Sequence, residues 1–181
     1  MALKATVYKA ELTVSDMDRH HYHTYPLTIA QHPSETTERM MVRLAAFAFN
    51  ASEQLEFTRG ISTDDEPDLW THSLSDEIEL WIELGQPDEK RIRKACNRSK
   101  QVIIYLYHGR SAQIWWEQME STCRRFRNLS VLEFDATAIS QLNALCDRTM
   151  RLQASIQDGS LWLGNSDSSV ELNLQVRQRP E

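Results

Sequence analysis

Between residues 64 and 100 the chain sorts its charges into two consecutive blocks. Asp64, Asp65, Glu66, Asp68, Asp76, Glu77, Glu79, Glu83, Asp88 and Glu89 are ten carboxylates with no Lys or Arg among them. Lys90, Arg91, Arg93, Lys94, Arg98 and Lys100 then follow with no acid. A cation-binding stretch leading into an anion-binding one is what metal-assisted phosphate chemistry needs. The same pattern also arises when a well-charged protein presents two solvated faces. Inside the acidic block, Asp68 follows Pro67 and Glu83 closes an alternating run, with fourteen residues between them. If the two segments are antiparallel strands, Asp entering one and Glu leaving the other lie at the same end of the sheet. There they can share a hard divalent cation such as magnesium or manganese, which needs only one or two carboxylates beside water and phosphate oxygens.

The elements that must position these residues are readable in the periodicity. Thr6, Tyr8, Ala10, Leu12 and Val14 alternate with more polar neighbours, as do His23, Tyr25, Leu27 and Ile29, which predicts an N-terminal hairpin. Ser34 is the expected N-cap of a helix running to about Asn50, with Met41, Val42, Ala45, Ala48 and Phe49 on its apolar face and Glu38 on that face one turn earlier. Short strands are expected at Leu55–Thr58 and from Pro67, separated by a loop at 63–66, and another at Ile78–Leu84, which Gly85 stops. Pro87 suits the first turn of a helix reaching Asn97, and Val102–Tyr107 reads as a strand covered on both faces. A helix from Ser111 to about Arg127 follows, with Trp115 in its core stripe, then a strand at Val131–Phe134 and a helix at about Ala138–Asp147. C-terminal strands close the chain, with Asp158-Gly159 as a turn and clean alternation through Val170, Leu172, Leu174 and Val176.

Two resemblances build on these residues. Pro67-Asp68, a spacer and Glu83, within the order helix, strands, helix, strand, resembles the motif of the PD-(D/E)XK nuclease superfamily. The stretch Leu84-Gly85-Gln86-Pro87-Asp88-Glu89-Lys90-Arg91-Ile92-Arg93-Lys94-Ala95, with Pro67-Asp68-Leu69-Trp70 and the N-terminal hairpin, resembles the YaeQ family of bacterial proteins over essentially its whole length. The resemblance implies an α/β fold with a mixed sheet, a variant of the nuclease fold carrying extra N- and C-terminal antiparallel strands. It also implies Asp68, Glu83 and the helix acid Glu38 as ligands of magnesium or manganese. Gly85 stands where the nuclease motif has Lys. Gln86, which can position a water, and Lys90 or Lys94, one helical turn apart and able to reach back over the strand end, are expected to complete the site.

Composition bounds the alternatives. With 181 residues and 41% hydrophobic side chains, one domain spanning 1–181 is expected, in a cytoplasmic protein with neither leader nor membrane span. Cys96, Cys123 and Cys146 have no C-x-x-C spacing, so buried free thiols are expected. The net charge of −6 argues against a general polyanion binder and confines any nucleic-acid contact to the basic helix, 90–100. His20, His21 and His23 are expected to be exposed at the hairpin tip, and the helix bearing Arg124, Arg125 and Arg127 complements its own dipole. Two functions from different classes follow: a magnesium-dependent phosphodiesterase acting on nucleic acid, or a module on the same fold that no longer turns over and binds nucleic acid or a protein partner.

Overall fold

The computed structural model describes residues 4–59 and 65–181. The N-terminal hairpin is longer than its alternation suggested: β1 (Thr6–Asp16) pairs along its full length with β2 (His21–Gln31). A helix follows, α1 (Thr37–Asn50), capped by Thr36 rather than Ser34: the Thr36 hydroxyl accepts the Arg39 N–H at 3.1 Å. Ser34 is engaged with the His32 ring at 2.7 Å and cannot cap. Two strands, β3 (Glu56–Phe57) and β4 (Leu69–His72), lie antiparallel to each other, and β4 lies antiparallel to β5 (Ile78–Leu84). Of the expected loop at 63–66, Thr63 and Asp64 fall outside the described residues. After β5 come α2 (Glu89–Arg98), β6 (Ser99–Leu106), α3 (Arg110–Cys123) and β7 (Leu129–Phe134). Strands β5, β6 and β7 run parallel, each joined to the next by a helix. α4 (Ala136–Gln141) with a 3-10 turn at Leu142–Leu145 is shorter than expected; then come β8 (Thr149–Gln157) and β9 (Ser160–Gly164).

The single alternation through residues 170–176 is in fact two strands. β10 (Ser169–Leu172) pairs with β9, and β11 (Leu174–Gln178) pairs with β7 in the other sheet. The alternation matches burial in β10 but not in β11, where Val176 is exposed and Gln178 buried, and it carries no record of which partner is paired. The result is a mixed α/β architecture with a five-stranded sheet, β10-β9-β8-β1-β2, and a six-stranded sheet, β11-β7-β6-β5-β4-β3. The N-terminal hairpin and strands β8, β9 and β10 form the five-stranded sheet together, while the last strand, β11, joins the other sheet. The five-stranded sheet is mixed rather than antiparallel, because β8 lies parallel to β1.

α1 carries nine consecutive buried residues, Met40 to Ala48, so the expected single apolar face is an underestimate. A helix apolar all round belongs in a core. Its neighbours in that core come from both sheets: Leu12, Val14, Leu152 and Leu161 from one, Leu69, Ile82, Leu84 and Tyr105 from the other. On the far face of the six-stranded sheet, Ile92, Ala95, Trp115 and Trp116 of α2 and α3 pack on Ile78, Trp81, Val102, Ile104 and Leu106. β6 therefore alternates between two cores, as its unbroken apolar run requires. Cys96 and Cys123 are buried free thiols and Cys146 is half-buried. Among the described residues no helix is long and apolar enough to cross a membrane.

Candidate functional site

The parallel strands β5 and β6 end where α2 and α3 begin, and α1 starts beside them. Ligand sites of α/β sheets form outside such carboxyl ends. Asp68, just before β4, is brought there by the antiparallel pairing: its N–H donates to the Ile82 carbonyl at 3.0 Å, next to Glu83. Both acids are buried, Asp68 3% and Glu83 6% exposed. A buried carboxylate must find donors, and each has done so differently. Asp68 accepts the Leu84 N–H on Oδ2 at 2.8 Å and the Arg39 guanidinium on Oδ1 at 2.7 Å. Glu83 accepts two hydrogen bonds on Oε1, from the Trp81 indole N–H at 2.9 Å and Arg91 Nε at 2.8 Å, with Arg91 Nη2, which donates to the Glu66 carbonyl at 2.7 Å, also 2.7 Å away in the ion pair. Its Oε2 accepts no hydrogen bond among the described residues. Burial pushes the Glu83 carboxyl above its ordinary range, the Arg91 hydrogen bond opposes this, and the Asp68 charge adds to the rise. The two carboxylates thus feel each other.

Behind Asp68 runs an ion network that the sequence reading had not found. Arg39 also donates to Glu35 at 2.8 Å, and Glu35 is held by Arg43 through Nη2 at 2.6 Å and Nε at 3.0 Å. Glu35 and Arg43 are both almost wholly buried, and Arg43 further donates to the Ala30 carbonyl at 2.9 Å. Burial works against the charge on Arg39, but Asp68 and Glu35 outweigh it and raise its pKa. A usable signal was present: Glu35, Arg39 and Arg43 recur every four residues, and the two arginines interrupt an otherwise apolar helix.

Of the expected residues, Asp68 lies close enough to Glu83 for its charge to act on it, and Glu38 makes no hydrogen bond or ion pair with either among the described residues. It is half-buried in the first turn of α1, where its charge bears on the Tyr107 hydroxyl beside Arg39 and Asp68. Among the described residues no three His, Cys, Asp or Glu side chains gather as a ligand set. Gln86 is exposed and donates to the Ser111 hydroxyl at 2.9 Å, tying the loop before α2 to the start of α3. The reach back from α2 to the strand end, expected of Lys90 or Lys94, is made by Arg91 instead. Lys94 is paired with Asp65, and Lys90 is exposed without an ion pair among the described residues. Asp88 rather than Pro87 begins α2, its carboxylate accepting the Arg91 N–H at 2.8 Å. That cap fixes the helix start and so places Arg91 over Glu83. The rest of the basic block is turned largely onto acids: Arg93 of α2 pairs with Glu89, and Lys100 of β6 with Glu77 and Glu79.

Gly85 explains its own departure from the nuclease motif. It has φ +96°, with its N–H donating to the Tyr105 carbonyl at 2.9 Å. Nothing lies within 4 Å of where its Cβ would be, so the backbone, not crowding, excludes a lysine. Trp115 and Trp116 are both core residues, and the Trp115 indole donates to the Pro87 carbonyl at 2.9 Å, holding α3 against the start of α2. At the hairpin, His23 is exposed, while His21 is half-buried with its Nε2 2.5 Å from the Tyr25 hydroxyl.

The chain as a whole has close relatives. The YaeQ proteins of Escherichia coli (strain K12) and Salmonella typhi are each 51% identical over 180 residues, covering 99% of this chain and 99% of theirs. The crystal structure of the YaeQ protein from Xanthomonas axonopodis pv. citri superposes with a TM-score of 0.94 at 51% identity, over 97% of this chain and 99% of that one. The Pseudomonas syringae YaeQ structure does so with a TM-score of 0.92 at 34% identity, over 97% of each chain. The profile of the YaeQ protein family matches residues 1–174, and the chain belongs to that family.

Proposed function

We propose that this chain is a divalent-cation-dependent phosphodiesterase of the PD-(D/E)XK nuclease-like type, acting on nucleic acid at the carboxyl ends of β5 and β6. The observation that carries the reading is the pair of buried acids, Asp68 and Glu83, delivered from neighbouring strands to one end of the sheet. Glu83 is held above its ordinary pKa by burial and by Asp68. Two carboxylates that repel each other in a desolvated site are a destabilising arrangement, and such arrangements concentrate where chemistry is done. The donor set suits magnesium or manganese: hard oxygens, few in number, with Glu83 Oε2 still able to accept. When bound there, such an ion would lower the pKa of an attacking water and offset charge on the phosphate. Gln86, held by Ser111, is placed to orient a water, and Lys90 to meet a neighbouring phosphate.

A test is to incubate the protein with single-stranded and duplex DNA and RNA, with and without magnesium or manganese. Cleavage that needs the cation and vanishes in Glu83→Gln, while nucleic-acid binding persists, supports the reading. Absence of cleavage from the wild type on every substrate sinks it. The second reading, a binding module on the same fold, is favoured by one specific observation: both acids already have a guanidinium counter-ion, so the protein supplies internally the charge a metal would bring. Under that reading the wild type binds nucleic acid or a protein partner without cutting.

A further inference from the structure

Charge counting around the two acids constrains what can enter beside them. Glu35 and Asp68 lie with Arg39 and Arg43 in one ion-pair network, and Glu83 pairs with Arg91 beside it, close enough for the Asp68 charge to act on Glu83. With all of them ionised, the three acids and three arginines carry no net charge. A divalent cation alone would turn that into a net positive charge at a desolvated place, which is costly unless an anion arrives with it. A phosphodiester, with a single negative charge, offsets half of it. The exposures point the same way. The Asp68 and Glu83 side chains are 4% and 7% exposed, while the Arg39 and Arg91 side chains that cover them are 16% and 25% exposed. The arginines are the part of the site that meets solvent. Arg91 also borders an open cavity of about 420 Å³ lined by Asp88, Lys90, Arg91 and Lys94, where a phosphate would find cations. A guanidinium fork matches phosphate oxygens as well as it matches a carboxylate.

We propose that Arg39 and Arg91 are the phosphate-binding residues of this site, and that they make a divalent cation and a phosphodiester bind as a pair, each strengthening the other. This rests on the cation site proposed above. In the free protein the two guanidinium groups serve as counter-ions of Asp68 and Glu83. When a cation takes the carboxylate oxygens, the guanidinium groups turn their N–H donors to the phosphodiester, and no covalent step is involved. Because coupling between two ligands is reciprocal, the diester must raise cation affinity by the same factor as the cation raises diester affinity.

The test uses the whole chain and reads free manganese by electron paramagnetic resonance. Manganese is titrated alone, with a dithymidine phosphodiester, and with the uncharged methylphosphonate analogue of the same dinucleotide. The wild type should bind manganese at least about tenfold more tightly with the diester and no more tightly with the methylphosphonate. Arg91→Gln and Arg39→Gln should bind manganese alone more tightly than the wild type and lose the response to the diester. Arg91→Lys, which keeps the charge, covers the case in which a neutral substitution unfolds the protein; it should retain part of the response. If manganese binds the wild type equally under all three conditions, or the arginine variants respond to the diester as the wild type does, the inference is overturned while the cation site stands. If neither the wild type nor any arginine variant binds manganese under any condition, the cation site fails, and this inference with it.

Discussion

Arg43→Met probes the network that anchors the site. Arg43 is buried and grips Glu35 through two nitrogens, at 2.6 and 3.0 Å, besides donating to the Ala30 carbonyl. Methionine fills much of the same volume but leaves Glu35, also buried, with Arg39 as its remaining charged partner. Breaking a buried pair from one side costs roughly 3–5 kcal/mol, because the surviving charge stays desolvated. Arg39 retains one contact to Glu35, which places the expectation near the lower end, at about 3 kcal/mol. For a chain of this size that lowers the melting temperature by about 6–12 °C. Urea unfolding should show a reduced midpoint at an unchanged slope, which separates a stability change from a change in the unfolded state. Glu35→Leu combined with Arg43→Met removes both charges, so the double variant should be less destabilised than the sum of the two single changes. A single variant within about 1 kcal/mol of wild type, or a double variant equal to the sum, would refute the view that this network is a desolvated, mutually dependent unit.

Gly85→Lys restores the residue of the nuclease motif at a position with φ +96°, and it should cost about 1–2 kcal/mol in urea unfolding while leaving any cleavage no faster. Asp88→Ala removes the cap of α2 and should cost about 1 kcal/mol, with the Trp81 fluorescence environment changing as Arg91 loosens over Glu83. The pH dependence of Glu83→Gln follows from the sign of its shift. A carboxyl held above its ordinary pKa binds its proton more tightly in the folded chain, so the stability this contributes is fully present below the unfolded pKa, about 4.3, and is lost as pH rises through the folded value. Urea unfolding from about pH 4 to about pH 8 should therefore show wild type losing ground to Glu83→Gln as pH rises; a gap moving in the opposite direction would mean that Arg91 has depressed the carboxyl instead.

Much of the arrangement was legible because it is written in periodicity. The run from Val102 to Tyr107 identified a strand with two covered faces, and β5 was read with its ends as they are. What escaped was of two kinds. Strand partnership is non-local, so the split at Asn173 and the parallel pairing of β8 with β1 carried no local signal. Side-chain partnership is set by tertiary geometry. Asp68 and Glu83 were legible as a pair, but nothing in residues 67–83 indicates that α1 lays Arg39 over the first and α2 lays Arg91 over the second. Placing Glu38 on a single apolar face with Met41 and Val42 assumed a helix with one buried face, and a helix buried all round breaks that assumption.

The two charge blocks invite the picture of a cation site beside an anion site, open side by side. In the folded chain the basic block is instead folded back onto the acidic one: Arg91 on Glu83, Lys94 on Asp65, Lys100 on Glu77 and Glu79. These pairs are not alike. Lys100 and its acids are exposed, where screening makes an ion pair worth little and easily exchanged for a phosphate. Arg91 on Glu83 is the buried case, in which exchange requires that something else neutralise the carboxylate at the same moment. On the proposed reading, a nucleic acid engages Lys100 at the start of β6 by simple competition, with a salt dependence set by the few phosphates contacted. Reaching Glu83, on that same reading, takes an anion and a cation together, so the two functional readings part at Arg91 rather than at Gly85.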